Sequence, residues 1–168
     1  ATGSGTLKGG SKGDTLKGDT DEKMTIEGGA GDDDITGGTA VDTINGGAGN
    51  DTINASTGKD VINGGEGKDT ITLGNALQTI DGGAGDDTVD VAALLAYGQS
   101  IKGGDGTDKL VLNKTNTSTA EGSVVSGFET LDFNVVNGTV DLDNFASNTF
   151  TSVDVGSANG MTINSVDS

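Results

Sequence analysis

The sequence predicts an all-β fold in which short parallel strands coil into a solenoid around a narrow apolar core. A nine-residue repeat is the first reason. Residues 28–36 read GGAGDDDIT, 46–54 GGAGNDTIN, 64–72 GGEGKDTIT and 82–90 GGAGDDTVD. Looser copies lie between them: GGTAVDTIN at 37–45, ASTGKDVIN at 55–63 and LGNALQTID at 73–81. The second reason is an apolar residue in every copy, at Ile26, Ile35, Ile44, Ile53, Ile62, Ile71, Ile80 and Val89. A fixed short period specifies an array of like units rather than an ordinary globular domain.

Each nonamer reads as a turn of six residues followed by a three-residue strand. The Gly-rich turn needs backbone conformations that β-branched residues avoid. In the strand the side chains alternate out, in, out, so the single apolar residue faces the core. Two nonamers then make one coil of eighteen residues, and alternate copies stack into two parallel sheets.

Taken in order, residues 1–8 (ATGSGTLK) are a worn copy with Leu7 in the apolar slot. Residues 9–17 (GGSKGDTLK) keep Asp14 and Leu16 but put Lys12 where a Gly belongs. Residues 18–27 hold one extra residue, with Met24 in the Asp slot. The regular array follows, and a further full copy, GGDGTDKLV, stands at 103–111. The stretch VAALLAYGQ at 91–99 is expected to form a helical turn, with Leu94 and Leu95 over the core. Residues 113–123 (NKTNTSTAEGS) read as a polar loop. Beyond it Leu131/Phe133, Val140/Leu142, Val153/Val155 and Met161/Ile163 predict four more strands, and all four Phe lie between 128 and 150. The division expected is 1–111 for the repeat solenoid and 112–168 for a fatter, metal-poor solenoid extension or cap. There Asp141 and Asp143 are expected to face outward.

Composition narrows the function. There are 26 Asp plus Glu against 9 Lys plus Arg, a formal net charge of −17. Phosphate backbones repel such a chain, so no nucleic-acid partner is expected. Scattered acids would point to disorder, but these keep phase with the glycines. With no Cys and no His, thiolate and imidazole chemistry are excluded, and so are disulfides and the usual zinc ligands. No apolar run is long enough to insert in a membrane as a helix. The chain reads as a piece of a larger protein.

Phase separates the acids into two edges. One edge holds Asp14, Asp33, Asp51, Asp69, Asp87 and Asp108; the same slots on the other hold Gly5, Met24, Asp42, Asp60, Gln78 and Gln99. The first edge is suited to a hard cation and the second mostly is not.

The repeat resembles the RTX family, whose nonapeptide Gly-Gly-x-Gly-x-Asp-x-U-x, with U apolar, binds calcium. The resemblance covers roughly residues 1–111 and implies a parallel β-roll, a right-handed β-solenoid with calcium in its turns. In that family each ion sits between two turns one coil apart, bound by carboxylates and backbone carbonyls. Carried onto this chain, the resemblance implies a site from Gly28, Ala30 and Asp33 with Gly47, Gly49 and Asp51. The next takes Gly46, Ala48 and Asp51 with Gly65, Gly67 and Asp69. A third takes Gly64, Glu66 and Asp69 with Gly83, Gly85 and Asp87. A fourth takes Gly82, Ala84 and Asp87 with Gly104, Gly106 and Asp108, across the insertion. A fifth would run from Gly9, Ser11 and Asp14 to Gly29, Gly31 and Asp33, with Lys12 disturbing its turn. On the other edge only Asp42 with Asp60 offers a pair. At least three calcium ions are expected, since calcium takes six to eight oxygens at about 2.3–2.6 Å. Magnesium, which keeps its waters, suits a carbonyl cage poorly.

The function expected is that of a structural calcium-binding segment of a secreted bacterial surface protein, of surface-layer or adhesin type. The resemblance implies type I secretion, with calcium driving folding outside the cell. Copies of itself in a lattice, or other surface components, are the expected partners. The text GFETLDF at 127–133 is similar to sequences that follow RTX arrays in such proteins. The alternative is the C-terminal roll of a secreted metalloprotease or lipase. No HExxH occurs, and the one Gly-x-Ser-x-Gly match, GGSKG at 9–13, lies inside a copy of the repeat in a chain without His, so no catalytic residue is expected in this chain. Ice binding is disfavoured because the third and fifth turn positions hold a mixture (Ala30, Asp32, Glu66, Lys68) rather than uniform rows.

Overall fold

The computed structural model describes residues 4–74, 76–91, 98–113, 124–134, 138–141, 150–155 and 161–164. Among these every regular element is a strand. The strands alternate between two sheets as the chain coils. One sheet stacks β1 (Ser4–Lys8), β3 (Lys23–Ala30), β5 (Thr43–Ala48), β7 (Val61–Glu66), β9 (Thr79–Ala84), β11 (Ser100–Asp105) and β13 (Val124–Ser126) in that order. The other stacks β2 (Thr15–Lys17), β4 (Asp34–Thr36), β6 (Thr52–Asn54), β8 (Thr70–Leu73), β10 (Thr88–Val91), β12 (Lys109–Leu112), β14 (Thr130–Phe133) and β16 (Ser152–Asp154). Two further strands, β15 (Gly138–Asp141) and β17 (Met161–Asn164), pair with each other in parallel. No helix among the described residues is long and apolar enough to cross a membrane.

Register follows the arithmetic of the sequence. Ile44 pairs with Ile62 and Ile53 with Ile71, eighteen residues apart. Leu7 pairs with Ile26 at nineteen, which absorbs the extra residue of 18–27. Val89 pairs with Leu110 at twenty-one. Three residues are therefore inserted between β10 and β11, and every strand beyond keeps its face. The helical turn expected there, with Leu94 and Leu95, lies outside the described residues, as do Leu142, Asp143 and most of the 113–123 loop.

The core is a ladder. Ile26, Ile35, Ile44, Ile53, Ile62, Ile71, Ile80, Val89, Ile101, Leu110 and Leu131 are all buried. A second inward column lies two residues after each apolar residue of the even-numbered strands. It runs Gly37, Ala55, Leu73, Val91, Leu112, Phe133, so the core thickens along the chain. In the odd-numbered strands that position is Gly28, Gly46, Gly64, Gly82, Gly103 and Gly127, and no side chain fills it.

The six-residue turn expected from the repeat is shorter than that. On the Asp-rich edge its first three residues continue the strand, as in β5 (TINGGA) and β7 (VINGGE). Gly47 pairs with Gly65 in register, and Ala48 with Glu66. Glycine permits this because Gly65 takes φ 121°, and a Cβ there would run into the backbone of Gly47.

Two glycines separate strain from crowding. Gly98 has φ 81° but nothing among the described residues within 4 Å of a Cβ, so Gly98→Ala should cost mainly left-handed strain, about 1–2 kcal/mol. Gly65→Ala adds displacement of the neighbouring coil and should cost distinctly more. Urea denaturation at one saturating calcium concentration measures both, and equal losses would contradict the close stacking.

Candidate metal centre

The two sheets meet at two edges, and the edge that joins each odd strand to the next even strand carries the carboxylate row. Asp33, Asp51, Asp69, Asp87 and Asp108 are buried there, none more than 2% exposed. One oxygen of each is engaged. Asp33 Oδ1 accepts from the N–H of Asp14, Asp51 Oδ1 from Asp33, Asp69 Oδ1 from Asp51, Asp87 Oδ1 from Asp69 and Asp108 Oδ1 from Asp87, all at 2.8 Å. Each carboxylate thus clasps the backbone of the preceding coil.

The other oxygen has no partner. Oδ2 of Asp33, Asp51, Asp69, Asp87 and Asp108 is buried without a hydrogen bond. Five orphaned anionic oxygens in one row are not a tolerable apo core, since a buried charge must be paired. The glycine at the start of each turn explains where they point. A Cβ on Gly28 would collide with both Asp33 Oδ2 and the carbonyl oxygen of Gly46, and Gly46, Gly64 and Gly82 repeat the pattern. The missing side chain leaves a small space between coils, with an orphaned carboxylate oxygen on one side and a carbonyl of the next coil on the other.

Carbonyl directions correct the ligand sets expected from the repeat. The oxygens of Gly29 and Gly31 lie against Gly47 and Gly49 of the following coil, and those of Gly47 and Gly49 against Gly65 and Gly67. The oxygen of Gly28 lies against Gly9 of the preceding coil, and that of Ala48 accepts from Gly31 N–H at 2.7 Å. The space between Asp33 and Asp51 therefore faces the carbonyls of Gly29, Gly31, Gly46 and Ala48. Gly28 with Gly47 and Gly49 point away from it. The physical reason is strand alternation: second and fourth carbonyls aim forward, first and third aim back.

Asp14 belongs to the row but is half-buried, and its Oδ2 stands 2.8 Å from a Cβ placed on Gly9. Neither Gly10 nor Lys12 adopts the positive φ of the corresponding residues Gly29 and Gly31. Lys12 has changed the turn, as its position suggested.

The opposite edge is built differently. Asp42 Oδ1 accepts from Met24 N–H and its Oδ2 from Gly38 N–H, both at 2.7 Å. Asp60 Oδ1 accepts from Asp42 N–H at 2.8 Å, and its Oδ2 from the Gln78 amide at 3.1 Å. The Asp42–Asp60 pair, expected as a possible site, has protein donors on all four oxygens. Among the described residues the orphan on that edge is the neutral Gln78 Oε1. Ala55, Leu73 and Val91 also occupy the slot that glycine leaves open on the other edge.

Burial pushes the carboxyls of Asp51, Asp69, Asp87 and Asp108 upward. Asp69 rises to about 6 and Asp87 to about 7; Asp51 and Asp108 rise as well. The N–H from the preceding coil pulls each back down, and the charge of stacked neighbours adds to the rise. Among the described residues no three acidic side chains converge on one point. A cation would be held by two carboxylates and several carbonyls, an all-oxygen set that suits a hard ion of high coordination number.

A parallel solenoid with a row of buried, half-satisfied carboxylates is a cation-binding scaffold. Comparison with known protein families matches the RTX calcium-binding nonapeptide repeat, in four copies, at residues 25–53, 45–75 and 79–93. Those residues carry RTX calcium-binding repeats. No curated protein and no solved structure matches it. The row itself continues past the matched residues, through Asp108.

One member of the row was not anticipated from the repeat. Glu129 Oε2 accepts from Asp108 N–H at 2.8 Å, the bond that each Asp makes to the coil before it. Its spacing of twenty-one from Asp108, equal to that from Asp87 to Asp108, was the available signal.

The raised carboxyls fix the sign of a pH effect on the ion-free fold. Their folded values exceed the ordinary 3.8, so their contribution to stability is full below about that pH and is lost as pH rises through about 6–7. In calcium-free buffer the β-structure measured by circular dichroism should therefore be greater at pH 5 than at pH 8. Asp87→Asn, neutral at both, should flatten the difference. A β-content that rises with pH would contradict the burial of the row.

Proposed function

We propose that this chain is a structural, calcium-stabilised segment of a secreted bacterial protein of surface-layer or adhesin type. Residues 1–111 form the ion-binding roll, and 112–168 form an ion-poor extension or cap. The observation that supports the reading is the row of five buried Oδ2 atoms without partners on a run of calcium-binding repeats. RTX repeats are typical of secreted bacterial proteins, and the repeat solenoid is a structural rather than a catalytic fold.

Calcium would be held between Asp33 and Asp51 with the carbonyls of Gly29, Gly31, Gly46 and Ala48. The next ion takes Asp51 and Asp69 with Gly47, Gly49, Gly64 and Glu66. A third takes Asp69 and Asp87 with Gly65, Gly67, Gly82 and Ala84. A fourth takes Asp87 and Asp108 with Gly83, Gly85, Gly103 and Asp105. Asp14 with Asp33 makes a weaker outer position, and the Asp42–Asp60 edge is left to its protein donors. The ion supplies the positive charge that the orphaned oxygens lack.

Function follows from that dependence. Without calcium the stacked carboxylates oppose the roll, so the polyanion stays open where the ion is scarce, as in a cytosol. Outside the cell, binding and folding become one event. Export by a type I system and self-association or contact with other surface components complete the reading.

Circular dichroism tests it. The chain should show little β-structure in chelator at neutral pH and gain it cooperatively at millimolar calcium; a roll that is fully formed in chelator would refute the reading. Asp51→Ala and Asp69→Ala each strip two sites. At ten times the dissociation constant each site contributes about 1.4 kcal/mol, so each substitution should raise the calcium midpoint several-fold. Asp60→Ala should move it little, and equal shifts from all three would refute the edge assignment.

A further inference from the structure

We propose that the cation row does not end with the last Gly-Gly-x-Gly-x-Asp copy but has one more site, between Asp108 and Glu129, that binds a divalent hard cation such as calcium. The inference rests on the reading of the row given above and extends it to a coil without the repeat.

Asp108 is fully buried and its Oδ2 has no partner. Its surroundings repeat those of the other orphans. A Cβ on Gly103 would lie 2.7 Å from Asp108 Oδ2 and would collide with the carbonyl oxygen of Gly127. The carbonyl oxygen of Gly104 stands 3.6 Å from a Cβ placed on Gly127. Asp108 Oδ2 and the oxygens of Gly104 and Gly127 therefore surround one space, and Glu129 supplies the carboxylate of the following coil.

Glutamate at this position has a steric reason. Ser100 pairs with Val124, twenty-four residues on, but Lys109 pairs with Thr130, only twenty-one on. The turn at 127–129 is thus three residues shorter than the turn at 103–108. The N–H groups of Glu129 and Thr130 both donate to the Asp108 carbonyl, at 3.1 and 2.9 Å, and the longer Glu side chain reaches back to accept from the Asp108 N–H at 2.8 Å. Phe128, between Gly127 and Glu129, is fully buried under the turn and fixes its position.

Among the described residues no lysine pairs with Asp108. Lys109, the next residue after Asp108, pairs with Asp132 at 2.6 Å. Asp86, Asp105 and Glu129 all add negative potential at Asp108. The site lacks the third and fourth turn residues of a full repeat on its Glu129 side, and so offers fewer carbonyls. It should fill after the others.

Crystals of the full chain grown in millimolar calcium, with anomalous difference density, test the site. The expected row ends in a peak between Asp108 and Glu129. Glu129→Gln retains an acceptor for the Asp108 N–H and should lose that peak alone. Calcium stoichiometry by equilibrium dialysis should fall by one ion. A wild-type row that stops between Asp87 and Asp108, or a Glu129→Gln protein with unchanged stoichiometry, overturns this site and leaves the rest of the row standing. An empty row along its whole length overturns the calcium reading itself. Should Glu129→Gln fail to fold, the wild-type density decides.

Discussion

Everything in this molecule depends on stacking like charges at the spacing of a β-ladder. Parallel coils lie about 4.7–4.9 Å apart, and the carboxylates of one edge repeat with them. Half of each carboxylate is reconciled with its surroundings by the N–H of the coil before it. The other half is not, and five buried oxygens remain without a donor. The sheets alone cannot remove that repulsion. The rest of the edge is arranged around it: glycine where a Cβ would close the space, and carbonyls aimed inward from both coils.

The two edges show how little sequence is needed to choose between metal and hydrocarbon. The residue two places after the core Ile contributes, although at Gly37 the Gly38 N–H satisfies Asp42 Oδ2 with no side chain in the slot. Where it is glycine, as at Gly46 and Gly64, the Asp carboxylate occupies the room over its Cα. Where it is Ala55 or Leu73, the side chain joins the core. Asp60 then finds its second donor in the Gln78 amide rather than in an ion. One substitution per coil thus exchanges a charged, ion-dependent contact for an apolar one.

Much of this was legible in the residues themselves. The nine-residue period fixed the parallel pairing, the inward Ile ladder and the division of Asp residues between edges, because side-chain alternation and coil length leave no other phase. The single extra residue near Met24 and the three extra residues after Val91 appeared in register as their positions required. The direction of the carbonyls was not legible. It depends on Gly28 and Gly29 continuing the strand, which six turn-like letters do not announce. Glu129 was also missed, because its coil has lost the glycines that mark the motif and keeps only the spacing.

The column that runs from Gly37 through Ala55, Leu73 and Leu112 to Phe133 makes the coils unequal. A solenoid is a one-dimensional chain of nearest-neighbour contacts, each with its own coupling strength. Side-chain burial at that column rises from nothing at Gly37 to about 1.5–3 kcal/mol at Phe133. Coils toward Phe133 add oil to the electrolyte contact of the carboxylate row, and coils toward Gly37 have that contact with little oil beside it. Ion concentration therefore acts along the whole row, while temperature, through the hydrophobic term, acts more strongly toward Phe133.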